Sequence, residues 1–248
     1  MITTCKNCNQ NLDGNYCKNC GQNVDTHKIN VHFLWHDIQH GLFHFDNGIF
    51  YTVKELFTRP GNSIRGFIEG KRVKHLKPFS FVITVATFFG LLYHYFHIDP
   101  TVSISTIAEA DVKRFDLRKI NEWISTHYAL SSLLFIPLSS IGSYLAFKKT
   151  GYNFVEHLVL NTYLAGQRIM LKLIFFPLLY LFRVSPNLLK VTTGLNFIGI
   201  LLVFWAYFQF FNTLTPAQKI GRTLLCYVYF GIMFLLFSIS IVFIIKLF

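Results

Sequence analysis

Long apolar stretches, separated by short polar or basic segments, make up most of the chain from residue 79 onward. Four of these stretches reach the roughly 20 helical residues needed to cross a hydrocarbon core about 30 Å thick. They are approximately 79–98, 127–147, 191–211 and 223–245. A fifth stretch, 158–182, is interrupted by polar residues and contains Pro177. The pattern predicts an all-α polytopic membrane protein with four to six membrane segments.

The first 78 residues have a different pattern and predict two further regions. Residues 1–26 are polar and rich in cysteine, and they predict a small cytoplasmic zinc ribbon. Residues 27–78 mix aromatic, histidine and basic positions, and they predict an interfacial amphipathic helical collar. The predicted transmembrane helical domain then covers 79–248, with an external loop at about 99–126.

Composition and charge support a membrane protein. Of the 248 residues 52% are hydrophobic and only 14% are charged, which excludes a disordered chain and an ordinary soluble enzyme. The formal net charge is +11, and residues 127–248 hold nine Lys/Arg against one carboxylate, Glu156, for a net of +8. Most of the positive excess therefore lies in the apolar half. It indicates an anionic partner, such as lipid headgroups or nucleic acid.

Two Cys-x-x-Cys pairs, Cys5 with Cys8 and Cys17 with Cys20, are separated by eight residues. Each pair turns two thiolates toward one point, and two such pairs complete a tetrahedral structural zinc site. Disulfides are the alternative, which a reducing cytoplasm disfavours. Cys226 stands alone in an apolar stretch and is expected to be a small packing residue.

Four histidines recur every four residues in a predicted helix over 30–45. They are His32, His36, His40 and His44. This spacing places them in one stripe along the helix. The stripe is interpreted as a second metal site, as a pH-sensing surface, or as part of an interfacial helix that buries its apolar side.

The rest of the collar predicts two short helices, broken at Arg59-Pro60-Gly61 and ended by Gly70. Six of its basic residues are candidate contacts to anionic lipid or to a ligand. They are Arg59, Arg65, Lys71, Arg72, Lys74 and Lys77. Because most of them crowd the entry to the first apolar stretch, the positive-inside rule places the N-terminus in the cytoplasm.

Polar and charged side chains concentrate in the segment 152–182, where membrane burial makes them costly. The candidate pore or polar-path residues are Asn153, Glu156, His157, Asn161, Arg168 and Lys172. One interpretation has them line a water-filled path or face a neighbouring subunit, with the two cations favouring anions. The other has a surface helix that enters lipid near Ile169, with both cations reaching back to the interface. Whether this segment is one span, a re-entrant hairpin or partly interfacial stays open, and with it the side of the C-terminus.

Four pieces of the sequence together carry a family resemblance. They are Cys20-Gly21-Gln22, residues 42–50, Arg59-Pro60-Gly61, and Glu69-Gly70-Lys71-Arg72 through Phe79. Over about residues 5–90 the chain resembles a bacterial family of multi-pass membrane proteins with a zinc-ribbon head, catalogued only as a domain of unknown function. The resemblance implies a membrane protein with a ribbon head and brings no catalytic residues. We expect a multi-pass protein of the bacterial inner membrane, with its N-terminus in the cytoplasm.

An enzyme is not expected, because the sequence shows no acid–base pair, phosphate loop or metalloprotease motif. The first functional hypothesis is a homo-oligomeric ion-conducting pore or channel controlled by the zinc ribbon as a sensing head. With a nucleic acid or protein as its ligand, such a pore fits a membrane effector of bacterial antiviral (antiphage) defence. The alternative is a non-conducting scaffold, or a lipid-handling or transport protein, that recruits partners through the ribbon.

Overall fold

The computed structural model describes residues 3–26, 28–31, 48–96, 98 and 128–247. These residues are mostly helical, as the sequence predicts, and include a two-stranded sheet near the N-terminus. The predicted histidine stripe, made up of His32, His36, His40 and His44, lies outside the described residues. The predicted external loop at about 99–126 lies outside them as well.

The N-terminal head, residues 3–26, is built from a six-residue turn that occurs twice, over 5–10 and 17–22. Strand β1 (Thr3–Thr4) pairs antiparallel with β2 (Asn11–Leu12) and closes the first turn. In both turns the amide of the first cysteine donates to the carbonyl of the glutamine five residues later, at 2.8 and 2.9 Å. The two turns therefore share one backbone hydrogen-bonding pattern, because they share the sequence Cys-Lys-Asn-Cys-x-Gln.

Within residues 48–78 the collar has two short helices, α1 (Gly48–Thr58) and α2 (Pro60–Glu69). Pro60 is the first residue of α2, where its fixed φ suits a helix and its missing amide hydrogen costs nothing. Gly70 ends α2 with a φ of 116°, a left-handed conformation that glycine adopts without steric cost. The predicted break and the predicted end are both confirmed.

The described residues after the collar form six further helices. They are α3 (Pro78–Tyr95), α4 (Tyr128–Ala146), α5 (Phe154–Ile174), α6 (Phe176–Leu181), α7 (Leu188–Phe210) and α8 (Pro216–Leu247). Helices α3, α4 and α7 lie within three residues of predicted stretches, but α8 begins well before the predicted 223–245. It begins earlier because Thr215 and Pro216 form a helix start, in which the Thr215 hydroxyl accepts from the Gln218 amide at 3.4 Å.

Three of the described helices are long and apolar enough to cross a membrane. These candidate spans are Pro78–Tyr95, Leu188–Phe210 and Pro216–Phe237. Only 22% of the α7 span and 11% of the α8 span is buried within the chain, so most of their apolar surface is left for another apolar environment. The apolar part of α4, Leu130–Ala146, is shorter. The chain therefore has the character of a membrane protein, while the predicted number of four to six segments remains a prediction.

Helix α5 lies at the centre of the bundle and contacts α1, α2, α3, α4, α6 and α7. Thirteen of its 21 residues are buried. The sequence predicted one stretch over 158–182. In the structure this part of the chain forms two helices, because α5 begins earlier, at Phe154, and the chain breaks at Phe175 before α6. Pro177 has no amide hydrogen to donate to the Leu173 carbonyl, and in a continuous helix its ring would clash with that carbonyl, so the helix breaks just before it.

Helices α2 and α7 cap each other's ends. The Gln209 side-chain carbonyl near the end of α7 accepts from the amides of Gly61 and Asn62 in the first turn of α2, at 3.1 and 3.5 Å. In return, the Arg65 guanidinium donates to the carbonyls of Gln209 and Phe210, at 3.0 and 3.2 Å. Amides at a helix start and carbonyls at a helix end otherwise lack partners, so this exchange satisfies both ends and joins the collar to a candidate span.

The contact between α2 and α7 predicts that position 61 tolerates only glycine. A Cβ atom at Gly61 would stand 2.1 Å from the Ala206 carbonyl oxygen, whereas one at Gly66 in the same helix would meet only the Lys71 side chain, at 3.7 Å. We expect Gly61→Ala to lower the free energy of unfolding by about 1–3 kcal/mol. Gly66→Ala should leave it unchanged or raise it by up to about 1 kcal/mol. Thermal unfolding in detergent measures both, and equal melting temperatures would contradict the close approach.

Candidate metal centre and helix-bundle cavity

Four cysteines of the head bring their sulfur atoms to one point. The Sγ atoms of Cys5 and Cys20 are 3.6 Å apart, those of Cys8 and Cys17 are 3.5 Å apart, and all four lie within 4.8 Å of one another. Four thiolates around one metal at bond lengths of about 2.3 Å stand about 3.8 Å apart in a tetrahedron. The cluster has the dimensions of such a site and could hold one metal ion.

The head has almost no hydrophobic core of its own. Among residues 4–26 only Cys5, Cys17 and Gln22 are buried. A unit this small cannot be stabilised by apolar burial alone, and metal–thiolate bonds are a common substitute. The lack of a core therefore points to metal binding independently of the sulfur geometry.

The four thiols are not equally ready to bind a metal. A backbone hydrogen bond from Gln10 lowers the pKa of the Cys8 thiol to about 6, whereas burial raises the pKa of the Cys5 thiol to about 11. Cys8 therefore gives up its proton to a bound metal more readily than Cys5 does.

The head docks on the collar through the end of its second turn. The Gln22 side-chain carbonyl accepts from the Arg72 amide at 3.0 Å, and Gln22 is only 4% exposed. The Lys6 side chain packs over Gly70, since a Cβ atom at Gly70 would stand 2.8 Å from Lys6 Cδ. Lys6 Nζ also donates to the Thr26 carbonyl at 3.0 Å. Because Gln22 is two residues beyond Cys20, the turn that presents a metal ligand also presents the docking group.

The six basic residues of the collar do not form one surface. Arg59 makes a two-point ion pair with the buried carboxylate of Glu55, at 2.6 and 3.0 Å, and Arg65 caps α7. The Arg72 guanidinium carbon lies 5.6 Å from the centre of the Phe67 ring, and burial lowers the pKa of Arg72. These three arginines bind protein groups, while Lys71 and Lys74 are exposed and Lys77 is half-buried just before α3. Lys74 Nζ also lies 5.9 Å from the centre of the Tyr51 ring, so the six basic residues have different surroundings.

The first two candidate polar-path residues cap the start of α5. The Asn153 side-chain carbonyl accepts from the Glu156 amide, and the Glu156 carboxylate accepts from the Asn153 amide, both at 2.8 Å. This reciprocal pair is a capping box, which satisfies two amides at the helix start. Neither residue lines the cavity described below.

Four polar side chains from α4, α5 and α7 form a buried network. His157 Nδ1 lies 3.0 Å from Ser143 Oγ, and the Asn161 amide group donates to Ser143 Oγ at 2.8 Å. The Tyr207 hydroxyl donates to the Asn161 carbonyl at 2.9 Å. Buried polar groups without partners cost free energy, so the network fixes the relative positions of these three helices. His157 lies inside this network and does not line the cavity.

A cavity of about 500 Å³ lies between α4, α5, α7 and α8. Most of its walls are apolar, with Phe135, Leu195, Val203 and Phe230 among them. Its polar lining side chains come from all four helices. They are Ser131, Ser132, Ser139, Asn161, Arg168, Lys172, Asn196, Tyr207, Cys226 and Tyr227. Its size falls in the range of about 300–1,000 Å³ that is typical of small-molecule sites.

The two cations of the cavity lie at the depth of α3. The Tyr163 hydroxyl donates to the Leu76 carbonyl at 2.7 Å, which places Tyr163 beside the start of α3. Farther along, the Phe96 ring lies 5.5 Å from the Phe176 ring, so α3 and α5 run side by side in one direction. At 1.5 Å per residue, Arg168 and Lys172 lie roughly 7.5 and 13.5 Å beyond Tyr163 along α5. If α3 crosses a membrane, both cations are within it.

Three of the six candidate polar-path residues line the cavity. They are Asn161, Arg168 and Lys172. The sequence did not identify Tyr207 and Ser143 as partners, because Ser143 is one of five serines of α4 that also suit helix packing and Tyr207 lies in a mainly apolar helix. A polar group in an apolar span needs a partner on another helix, and this requirement is the signal that could have indicated them.

Residues 46–90 match a family model described as a protein of unknown function (DUF3667). The match confirms the resemblance to a domain of unknown function over α1, α2 and most of α3. It includes the part of α2 that caps α7, and it includes neither the cysteine cluster nor the cavity. No curated protein and no solved structure matches the chain.

The cysteine cluster predicts one bound metal ion per chain. We expect Cys8→Ser to lose it, because three thiolates leave one metal position open. Cys226→Ser is the matched control and should keep it, since Cys226 lies in the bundle. Elemental analysis of the purified full chain measures the stoichiometry. Loss of metal in both variants, or in neither, would contradict the assignment of the four ligands.

The buried network predicts a difference between two tyrosines. Tyr207→Phe removes the donor to the Asn161 carbonyl and should lower the free energy of unfolding by about 1–3 kcal/mol. The buried Tyr227 hydroxyl has no hydrogen-bond partner in the described part of the chain, so Tyr227→Phe should cost little. Thermal unfolding in detergent compares them, and an equal or larger loss in Tyr227→Phe would contradict the network.

Proposed function

We propose that this chain is a multi-pass protein of the bacterial inner membrane that handles lipid, holding one amphiphilic molecule in the cavity between α4, α5, α7 and α8. Its N-terminus lies in the cytoplasm, where a zinc-loaded head docks on the collar and recruits partners. This is the non-conducting alternative of the two functional hypotheses.

The cavity is the observation that carries the proposal. It is lined by helices of one chain, its walls are mostly apolar, and its polar groups converge from four helices. Small-molecule sites in proteins have this combination of apolar walls with a few fixed polar groups. The cavity lies at the same depth as α3, a candidate membrane span. The molecules that can reach such a site from the membrane are lipids and other amphiphiles.

The position of α5 favours this function over an oligomeric pore. A pore lined by the polar side of α5 needs that side at a water-filled path or at an interface between copies. In the chain, Asn161 instead contacts α4 and α7, and α5 is covered by the collar and α3. The residues that α7 and α8 leave exposed are mostly large and apolar, such as Phe197, Leu201 and Leu235, which suits contact with lipid.

The proposed zinc and the proposed orientation have separate support. Four thiolates in a closed tetrahedron are a typical structural zinc site, which leaves no open position for a catalytic water. Lys71, Lys74 and Lys77 precede α3, and basic residues at this place favour the cytoplasmic side of a span. Gln22 joins the head to the collar, and Arg65 joins the collar to α7 of the bundle. A partner bound to the head is therefore connected to the bundle indirectly, by way of the collar.

The proposal predicts that filling the cavity displaces a bound lipid. Val203 lines the cavity and is 7% exposed, whereas Val228 on α8 is 55% exposed and does not line it. We expect wild type and Val228→Trp to retain about one lipid per chain after release from nanodiscs of phosphatidylethanolamine and phosphatidylglycerol. Val203→Trp should retain none. Native mass spectrometry measures retention, and gel filtration checks that each variant is folded.

Leu195→Trp is a second filling variant, since Leu195 also lines the cavity and is 5% exposed. Equal lipid retention in the filling variants and in Val228→Trp would contradict lipid binding in this cavity. Ion flux through proteoliposomes of wild type, blocked by charge reversal at Arg168 or Lys172, would instead support the pore.

A further inference from the structure

The head docks on the collar with side chains from both of its turns. Gln22 of the second turn accepts from the Arg72 amide at 3.0 Å and is only 4% exposed. Lys6 of the first turn packs over Gly70, where a Cβ atom would stand 2.8 Å from Lys6 Cδ. Both contacts form together only when the two turns keep one fixed position relative to each other.

The contacts that join the two turns converge on the cysteine sulfurs. The Asn7 side chain donates a hydrogen bond to the Cys20 sulfur, and the Asn19 side chain donates one to the Cys8 sulfur. The closest sulfur pairs, at 3.5 and 3.6 Å, likewise join a cysteine of one turn to a cysteine of the other. A metal ion bound by all four thiolates would therefore fix the turns in the position that docking needs.

Little besides this cluster holds the head in shape. Among residues 4–26 only Cys5, Cys17 and Gln22 are buried, and two of these three are candidate metal ligands. Small units that are folded by a bound metal lose their structure when the metal is removed. Loss of metal is therefore expected to separate the two turns, and with them Lys6 and Gln22.

The chain beyond the head is anchored separately from the docking contacts. Ile29 is fully buried, and its carbonyl accepts from the side-chain amide of Asn153, at the start of α5, at 3.2 Å. Ile29 is seven residues beyond Gln22, a distance that an extended chain spans with about 25 Å. A head that leaves the collar therefore stays within reach of it and can return.

We propose that metal occupancy of the four-cysteine cluster controls docking of the head, so that the loaded head docks through Lys6 and Gln22 and the metal-free head leaves the collar. The proposal rests on the zinc-loaded head of the proposed function and does not depend on the cavity or its ligand. Departure of the head uncovers Gly70 and the Arg72 amide, and it exposes Gln22. The metal content of the head thus sets which surface of the collar is available to partners.

The coupling between metal binding and docking is reciprocal. If bound metal favours docking by a given factor, docking favours metal binding by the same factor. A substitution at the docking contact should therefore weaken metal binding, although it changes no metal ligand. The duplicated turn offers a matched control, because Gln10 has the position in the first turn that Gln22 has in the second, and Gln10 is exposed.

Hydrogen exchange at two collar amides measures docking of the full chain in phosphatidylcholine nanodiscs. The Arg72 amide donates to Gln22, whereas the Leu76 amide donates to the Thr52 hydroxyl at 2.8 Å within the collar. After a chelator removes zinc, we expect exchange at Arg72 to accelerate about tenfold or more and exchange at Leu76 to stay unchanged. Readdition of zinc should restore the slow exchange. Mass spectrometry with electron-transfer fragmentation resolves the two amides, and elemental analysis confirms the zinc content.

Gln22→Ala is the decisive variant, and Gln10→Ala is its control. With zinc bound, Gln22→Ala should show the fast exchange at Arg72 that the metal-free wild type shows, and Gln10→Ala should exchange as wild type does. Gln22→Ala should also bind zinc more weakly than wild type, by about the factor by which its exchange at Arg72 is faster. Competition with a zinc-binding dye measures this affinity.

Several outcomes would overturn the proposal. They are slow exchange at Arg72 after zinc removal or in Gln22→Ala, equal effects of Gln22→Ala and Gln10→Ala, wild-type zinc affinity in Gln22→Ala, and equal acceleration at Leu76, which would indicate unfolding of the collar. Each of them leaves the lipid-handling function standing, because that function is tested by filling the cavity. A wild type that binds no zinc would refute both the zinc-loaded head and this proposal.

Discussion

A helix that carries polar and charged side chains must be surrounded by protein when its neighbours cross a membrane, and most of this structure follows from that constraint. Helix α5 has thirteen buried residues and contacts six of the other described helices. Its polar groups find partners on α4, α7 and the collar, because lipid offers neither donors nor acceptors. The more uniformly apolar α7 and α8 are therefore left at the outside, where lipid can cover them.

The collar completes this enclosure and is itself fixed by α5 and α7. Gln167 of α5 donates to the Leu56 carbonyl of α1 at 2.6 Å, while α2 and α7 cap each other through Arg65 and Gln209. The head docks on the same collar through Gln22. A continuous series of hydrogen-bonded contacts thus joins the cysteine cluster to the helix that carries Tyr207 at the cavity.

The same enclosure explains why a cavity with two cations can exist. Tight packing of α5 against the collar and α3 covers one side, whereas Gly199 and the serines of α4 leave room on the other. The Arg168 side chain lies along this space, with its aliphatic part packed against Gly199 of α7. The basic excess of the C-terminal half is therefore divided between residues near helix ends and Arg168, whose aliphatic stem packs against α7.

The sequence by itself determined the features that depend on near neighbours in the chain. The spacing of Cys5, Cys8, Cys17 and Cys20 predicted a metal cluster, Pro60 and Gly70 predicted the bounds of α2, and long apolar stretches predicted candidate spans. Only the tertiary structure decided which polar groups of α5 meet which partners. Asn161 bonds to Tyr207, 46 residues away, and Gly61 to Gln209, 148 residues away. Such pairs have no fixed spacing, because they are set by how whole helices pack rather than by the local geometry of the chain.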